Sequence, residues 1–103
     1  MSDRLKLQAK FEEILGSRNV YFQPPASLMM RYPAIRYEFK DIRTKSANNS
    51  QAYTMSTGYE CVYIAKEPAG EELLRSLLQI PYLKFGRYYR ADTLHHYTFT
   101  IYQ

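Results

Sequence analysis

Residues Ala52 to Ala65 read AYTMSTGYECVYIA, and the rest of the chain is organised around them. Tyr53, Met55, Thr57, Tyr59, Cys61 and Tyr63 fall on alternate positions, with Thr54, Ser56, Gly58 and Glu60 between them. A period of two marks a half-buried antiparallel strand. Fully extended, the stretch would reach about 45 Å at roughly 3.4 Å per residue. A compact domain of this length has a radius of gyration of only about 13 Å. Part of the strand, with the loop that feeds it, is therefore expected to project from the body and to leave one half available to a partner. Val62 and Ile64 break the polar side near the strand's end, which predicts a helix covering that face there.

Working outward, the spacing predicts a helix from Asp3 to Leu15, capped by Ser2 or Asp3 and ended by Gly16. Its stripe Leu7, Phe11, Ile14 and Leu15 has helical spacing. A short strand, Asn19 to Gln23, is halted by Pro24 and Pro25. In the connector Ala26 to Pro33, Leu28, Met29 and Met30 are apolar for a loop, so they cover the core or meet a neighbour. A second strand spans Ala34 to Arg43, where Ile35, Tyr37 and Phe39 alternate with Arg36, Glu38 and Lys40. Ile42 is out of phase with that set, which implies a bulge near Lys40 and Asp41 or a strand leaving the core. The polar stretch Thr44 to Gln51 reads as a hairpin tip.

Beyond the long strand, Lys66 to Gly70 forms a turn. A second helix is expected over Glu71 to Gln79, with Leu73, Leu74, Leu77 and Leu78 buried and Pro81 as its stop. Two strands close the chain: Tyr82 to Arg90, with a bulge possible at Gly86, and His95 to Tyr102, joined by a turn at Ala91 and Asp92. The fold class is α+β in a single domain over residues 1–103, a mainly antiparallel sheet of four to five strands with two helices packed on it and one long protruding hairpin.

Composition narrows the classes of function. The chain has eleven Tyr and no Trp, and tyrosine both fills half-exposed strand positions and is enriched at protein interfaces. Cys61 is the one cysteine, which excludes an intrachain disulfide, and no Cys/His set matches a zinc site. The N-terminus lacks the apolar core of a signal peptide, and no apolar run is long enough for a membrane span. A reducing cytoplasm, or an object assembled there, is the expected compartment. The net charge is +4, with basic residues scattered along the chain. Their densest group is Arg36, Lys40, Arg43 and Lys45, interleaved with Glu38 and Asp41, which reads first as a solvated strand face.

Catalytic signals are lacking. His95 and His96 are adjacent on a strand and point to opposite faces. Asp92 fits a turn, and the four glycines are isolated, so no loop cradles phosphate. Glu12-Glu13 and Glu71-Glu72 are consecutive on helices. The expectation is a protein that is not an enzyme and takes no cofactor or metal.

The order of elements, with Tyr32-Pro33-Ala34-Ile35-Arg36-Tyr37 before the long strand and Phe99-Thr100-Ile101-Tyr102 at the close, resembles the tail terminator (tail completion) proteins of long-tailed bacteriophages. The stretch Phe85 to His96, FGRYYRADTLHH, also resembles tail completion or head-tail joining proteins of prophages in Gram-positive bacteria. The resemblance spans nearly the whole chain and rests on element order and short aromatic strings. It implies a virion structural protein assembled in the host cytoplasm, forming a homo-oligomeric ring, a hexamer in that family, that caps the tail tube and meets the head-side connector. DNA would pass the lumen without specific binding, and no membrane is involved.

The matching loop is Ile42 to Ala52. Surfaces lining a DNA conduit are usually acidic, so the basic hairpin is expected to face an acidic neighbouring ring. Contacts to that ring or to the tube fall to Arg36, Lys40, Arg43, Lys45 and Asn48, and subunit contacts to Leu28, Met30, Tyr53, Met55 and Tyr59. A rival reading is a small single-stranded nucleic-acid-binding module, with strand tyrosines beside Arg36, Lys40, Arg43, Arg87 and Arg90 on one sheet face.

Overall fold

A computed structural model describes residues 3–46 and 53–103. The elements run α1 (Asp3–Leu15), β1 (Val20–Phe22), β2 (Ala34–Ser46), β3 (Tyr53–Ala65), α2 (Glu71–Leu78), β4 (Leu83–Ala91) and β5 (Leu94–Tyr102). The five strands form one sheet in the order β1-β2-β3-β5-β4. β1 runs parallel to β2 and every other pairing is antiparallel. This is the α+β architecture expected from the alternating patterns. Among the described residues no helix is long and apolar enough to cross a membrane.

The core lies on one face of the sheet. Leu7 and Phe11 of α1 and Leu77 of α2 pack with Ile35, Tyr37, Tyr59, Cys61, Tyr63, Phe99 and Ile101. Phe11 meets Tyr37 and Phe99 edge-on at 5.4 and 6.0 Å between ring centres. The Tyr37 hydroxyl donates to Gln8 Oε1 at 2.6 Å and accepts from Arg4 at 3.2 Å. Gln8 Nε2 in turn donates to the Val20 carbonyl at 3.0 Å. A tyrosine suits this position because its ring fills the core while its polar tip is satisfied by the helix.

Two expectations about helix cover are corrected. Val62 and Ile64 are buried but lie on the face opposite the core cluster, since strand side chains alternate. Both helices sit on the Cys61 and Tyr63 face, so neither covers Val62. Its flanking partners are Arg36 and Thr98, and those of Ile64 are Ala34 and His96. Tyr89, stacked on His96 at 4.7 Å, adds to this strand-borne cover. In α2, Leu77 is fully buried and Leu73 packs on the core, but Leu78 is exposed. A helix of eight residues packed on a sheet presents one ridge inward, and Leu78 falls on its flank.

β2 is longer than expected, because residues 44–46 continue the ladder to Ser46 opposite Tyr53 instead of opening a loop. β5 pairs with β3 only from Gly58 to Ala65, followed by hydrogen bonds between Thr57 and Gln103. β2 and β3 therefore continue as a two-stranded ribbon, which runs beyond the five-stranded body from Arg43 and Ser56 outward. The hairpin tip expected from the sequence lies, over residues 47–52, outside the described residues. The radius of gyration is 15.1 Å, larger than the ~13 Å of a compact chain of this size.

Candidate functional site

Two bulges set the chemistry of the helix-free sheet face. In β2 the register passes from Phe39 opposite Tyr59 to Asp41 opposite Gly58, so Lys40 is the extra residue. In a bulge the phase of alternation changes. Before it, Arg36 and Glu38 share the open face with Val62 and Glu60. After it, Asp41 and Arg43 take that face, opposite Gly58 and Ser56. Strict alternation would have sent Arg43 to the helix side. The same shift brings Ile42 into phase with Phe39, which accounts for its displaced position in the sequence.

The second bulge does the same in β4. Phe85 faces Phe99 and Tyr88 faces Tyr97, so Gly86 and Arg87 together oppose Thr98. Thr98 Oγ1 accepts from the Arg87 amide at 2.8 Å and donates to the Arg87 carbonyl at 3.1 Å. A Cβ on Gly86 would come within 2.6 Å of that same Oγ1, so the close strand approach needs glycine. Arg87 then lies over the Tyr89 ring at 4.8 Å, on the open face.

The outcome is a basic face assembled from both ends of the sheet: Arg36, Lys40, Arg43, Lys84 and Arg87. Lys84 joins it through its pairing with Thr100. Sequence inspection did not select Lys84; the signal was its place two residues before the Gly86 bulge. The register position of Lys45 belongs to the same face, although only its backbone is described. Asn48 lies outside the described residues. Arg90, grouped with these residues in the nucleic-acid reading, pairs with His95 and so occupies the opposite face. Glu38, Glu60 and Asp41 are interspersed, and the two ion pairs seen among the described residues, Lys10–Glu13 and Arg75–Glu71, are on the helices.

Two aromatic rings of this face, Tyr102 and Tyr89, are already engaged, while Tyr82 at the groove is 80% exposed. The Arg43 guanidinium sits 3.9 Å above the Tyr102 ring. The Tyr102 hydroxyl donates to Asp41 Oδ2 at 3.3 Å, while Asp41 Oδ1 is buried without a hydrogen-bond partner among the described residues. Tyr89 lies between Arg87 and His96. A groove of about 640 Å³ opens between the ribbon and the β4–β5 end of the sheet, lined by Lys40, Arg43, Ser56, Lys84, Thr100 and Tyr102 among others.

The other face, at the base of the ribbon and along it, carries exposed apolar side chains beside Thr44 and Thr57. Phe39, Ile42 and Met55 are 48, 51 and 65% exposed, and register places all three on the helix side of the sheet beyond the helices. Met55 is therefore an exposed side chain on this face, and of Tyr53 only the backbone is described. Leu28 is exposed, Met30 half-buried, and the neighbouring Met29 is 90% exposed, so none of the three belongs to the core. Tyr59 is a correction: at 6% exposure it packs against Phe22, Tyr37 and Phe39, and its ring is a core group of its own chain.

Elsewhere, the paired histidines divide as alternation requires. His95 Nδ1 meets the Tyr88 hydroxyl at 2.6 Å, and His96 Nδ1 donates to the Leu94 carbonyl at 3.1 Å. Burial pushes the Cys61 thiol far above its ordinary range, as expected of a core sulfur rather than a nucleophile. The chain matches no protein-family model and no curated protein.

Proposed function

We propose that this protein is a virion structural subunit of a long-tailed phage, forming a ring at the head-proximal end of the tail tube. In that place it would end tail growth and join the tail to the head-side connector, with DNA passing the lumen and no reaction catalysed. The observation that carries the reading is the two-faced ribbon. One side exposes Phe39, Ile42 and Met55, and the other presents Arg43 beside Lys40. Exposed apolar side chains in a row suit burial against a second subunit, and charged neighbours suit orientation of a further partner.

A second reading, single-stranded nucleic-acid binding, is favoured by the five cations on one helix-free face. It is weakened by the state of the rings: Tyr102 is covered by Arg43, and Tyr89 lies between Arg87 and His96. Bases stack on free ring faces, so stacking on Tyr102 or Tyr89 would first have to displace a cation.

Light scattering and negative-stain imaging, alone and with purified tail tubes, test the proposal. Rings seated on tube ends support it. A protein that stays monomeric at high concentration and in the presence of tubes overturns it. Affinity for oligo(dT) falling steeply with salt, without ring formation, would establish the second reading instead.

A further inference from the structure

The groove between the ribbon and the β4–β5 end of the sheet has a composition that selects its occupant. Lys40, Arg43 and Lys84 supply positive charge around it, while Ser56 and Thr100 add hydroxyls. Its volume of about 640 Å³ is in the range of clefts that hold a drug-sized ligand, room for a few side chains of an extended segment. On the β3 side, among the described residues, β5 supplies ladder partners only from Gly58 onward, with Gln103 opposite Thr57. Among the described residues, the outer edge of β3 at Met55 has no paired strand, and it lies next to the groove. An extended segment entering there has both backbone groups to pair with and cations to meet.

We propose that this groove binds an extended acidic segment of a partner protein. Charge complementarity identifies the occupant, and two features favour a polypeptide over a nucleic-acid strand. The acidic residues Glu38, Asp41 and Glu60 on the same face oppose a uniformly charged phosphate backbone, whereas side-chain carboxylates on a peptide alternate in direction and reach the cations singly. Two of the rings that could stack bases, Tyr102 and Tyr89, are covered by Arg43 and Arg87, which leaves the exposed Tyr82 as the free ring lining the groove among the described residues. The site deepens the ring proposal by giving the chemistry of the partner that the basic face meets, and it rests on that reading only for the partner's place in the virion.

The test uses the full chain with a fluorescent ten-residue Glu/Asp peptide, a Gln/Asn peptide of equal length and a ten-nucleotide oligo(dT), read by anisotropy at two salt concentrations. The acidic peptide is expected to bind and the neutral one not to. Lys40→Glu with Lys84→Glu should weaken acidic-peptide binding at least about tenfold, since each reversal turns an attraction into a repulsion. Lys10→Glu on α1 should leave it within about twofold, and circular dichroism and urea midpoints verify that each variant folds. Unchanged binding in the double variant, or no binding by the wild-type chain, overturns the proposal. Tighter binding of oligo(dT) than of the acidic peptide also overturns it. Light scattering on the same samples separates the two readings: rings without peptide binding leave the ring proposal standing and remove this one, and peptide binding by a permanent monomer does the reverse.

Discussion

Gly58 stands directly across the β2–β3 ladder from Asp41, and the absence of a side chain on Gly58 is what lets the Asp41 carboxylate reach the Tyr102 hydroxyl. A Cβ at Gly58 would collide with Asp41 Oδ1 and come within 2.6 Å of the Tyr102 ring. Both contacts are held by the β2 bulge on one side and the end of β5 on the other. Gly58→Ala is therefore expected to lower unfolding free energy by about 1–3 kcal/mol, the usual cost of forcing extra volume into a packed site. Urea denaturation checks this, and a midpoint equal to wild type would show that Asp41 and Tyr102 separate without cost.

Alkaline pH should expose the buried phenols. Burial raises the Tyr37 hydroxyl above its ordinary value, with Arg4 pulling partly back, and burial raises Tyr63, with Tyr97 pushing the same way. A folded state that holds a phenol proton more tightly than the unfolded chain keeps that stabilisation below the unfolded value of about 10. The stabilisation is lost as pH rises from there through the folded value. Stability should accordingly begin to fall above about pH 8.5, where the unfolded Cys61 thiol ionises and the buried one does not, and fall more steeply above about pH 10 as the phenols add to it. Tyr63→Phe should make that fall shallower, and urea midpoints across the range measure it.

The apolar side of the ribbon separates folding from assembly. Ile42 and Met55 are more than half exposed, so Ile42→Asp with Met55→Asp should change monomer stability by no more than about 1 kcal/mol. The same pair should abolish ring formation, because carboxylates would be buried unpaired at the contact. Light scattering beside thermal melts distinguishes the two effects. Rings of normal size from the variant would show that this face is not the subunit contact.

Charge reversal on the opposite side probes the partner. Arg43→Glu with Lys45→Glu should leave the fold intact, at the loss of the Arg43–Tyr102 contact, a term of about 0.5–1 kcal/mol at an exposed site. In a phage carrying these changes, tails are expected to fail to join heads or to end at improper length, as seen by electron microscopy. Normal virions would remove the ribbon's basic side from the proposed function.

Cys61 provides a reporter for global opening. It is 1% exposed, and burial strongly disfavours its thiolate. A thiol reagent should label the native protein at least about a thousandfold more slowly than the urea-unfolded chain, since access requires unfolding of a domain of ordinary stability. Labelling at comparable rates in the two states would mean that β3 opens locally.

Much of the fold was legible in local pattern. The α1 limits follow from an amphipathic stripe ended by Gly16, and the strands follow from runs of period two. Both bulges left a trace, as a phase error at Ile42 and a glycine at position 86. These signals are short-range, because propensity and alternation act between residues a few positions apart. The candidate site was legible only as a cluster of charges along β2.

What the tertiary structure decided is which face each residue serves. No local pattern tells that α1 and α2, separated by three strands in the chain, both settle on the Tyr59, Cys61 and Tyr63 side. That choice makes Tyr59 a core ring and leaves Val62 to strand neighbours. The extra residue at Lys40 and the paired Gly86 and Arg87 rotate Arg43 and Arg87 onto the open face, where Lys84 arrives by pairing with β5. The sequence by itself determined the elements, because their stripes and breaks are written in neighbouring residues. The basic face and its groove came into being only with the register of distant strands.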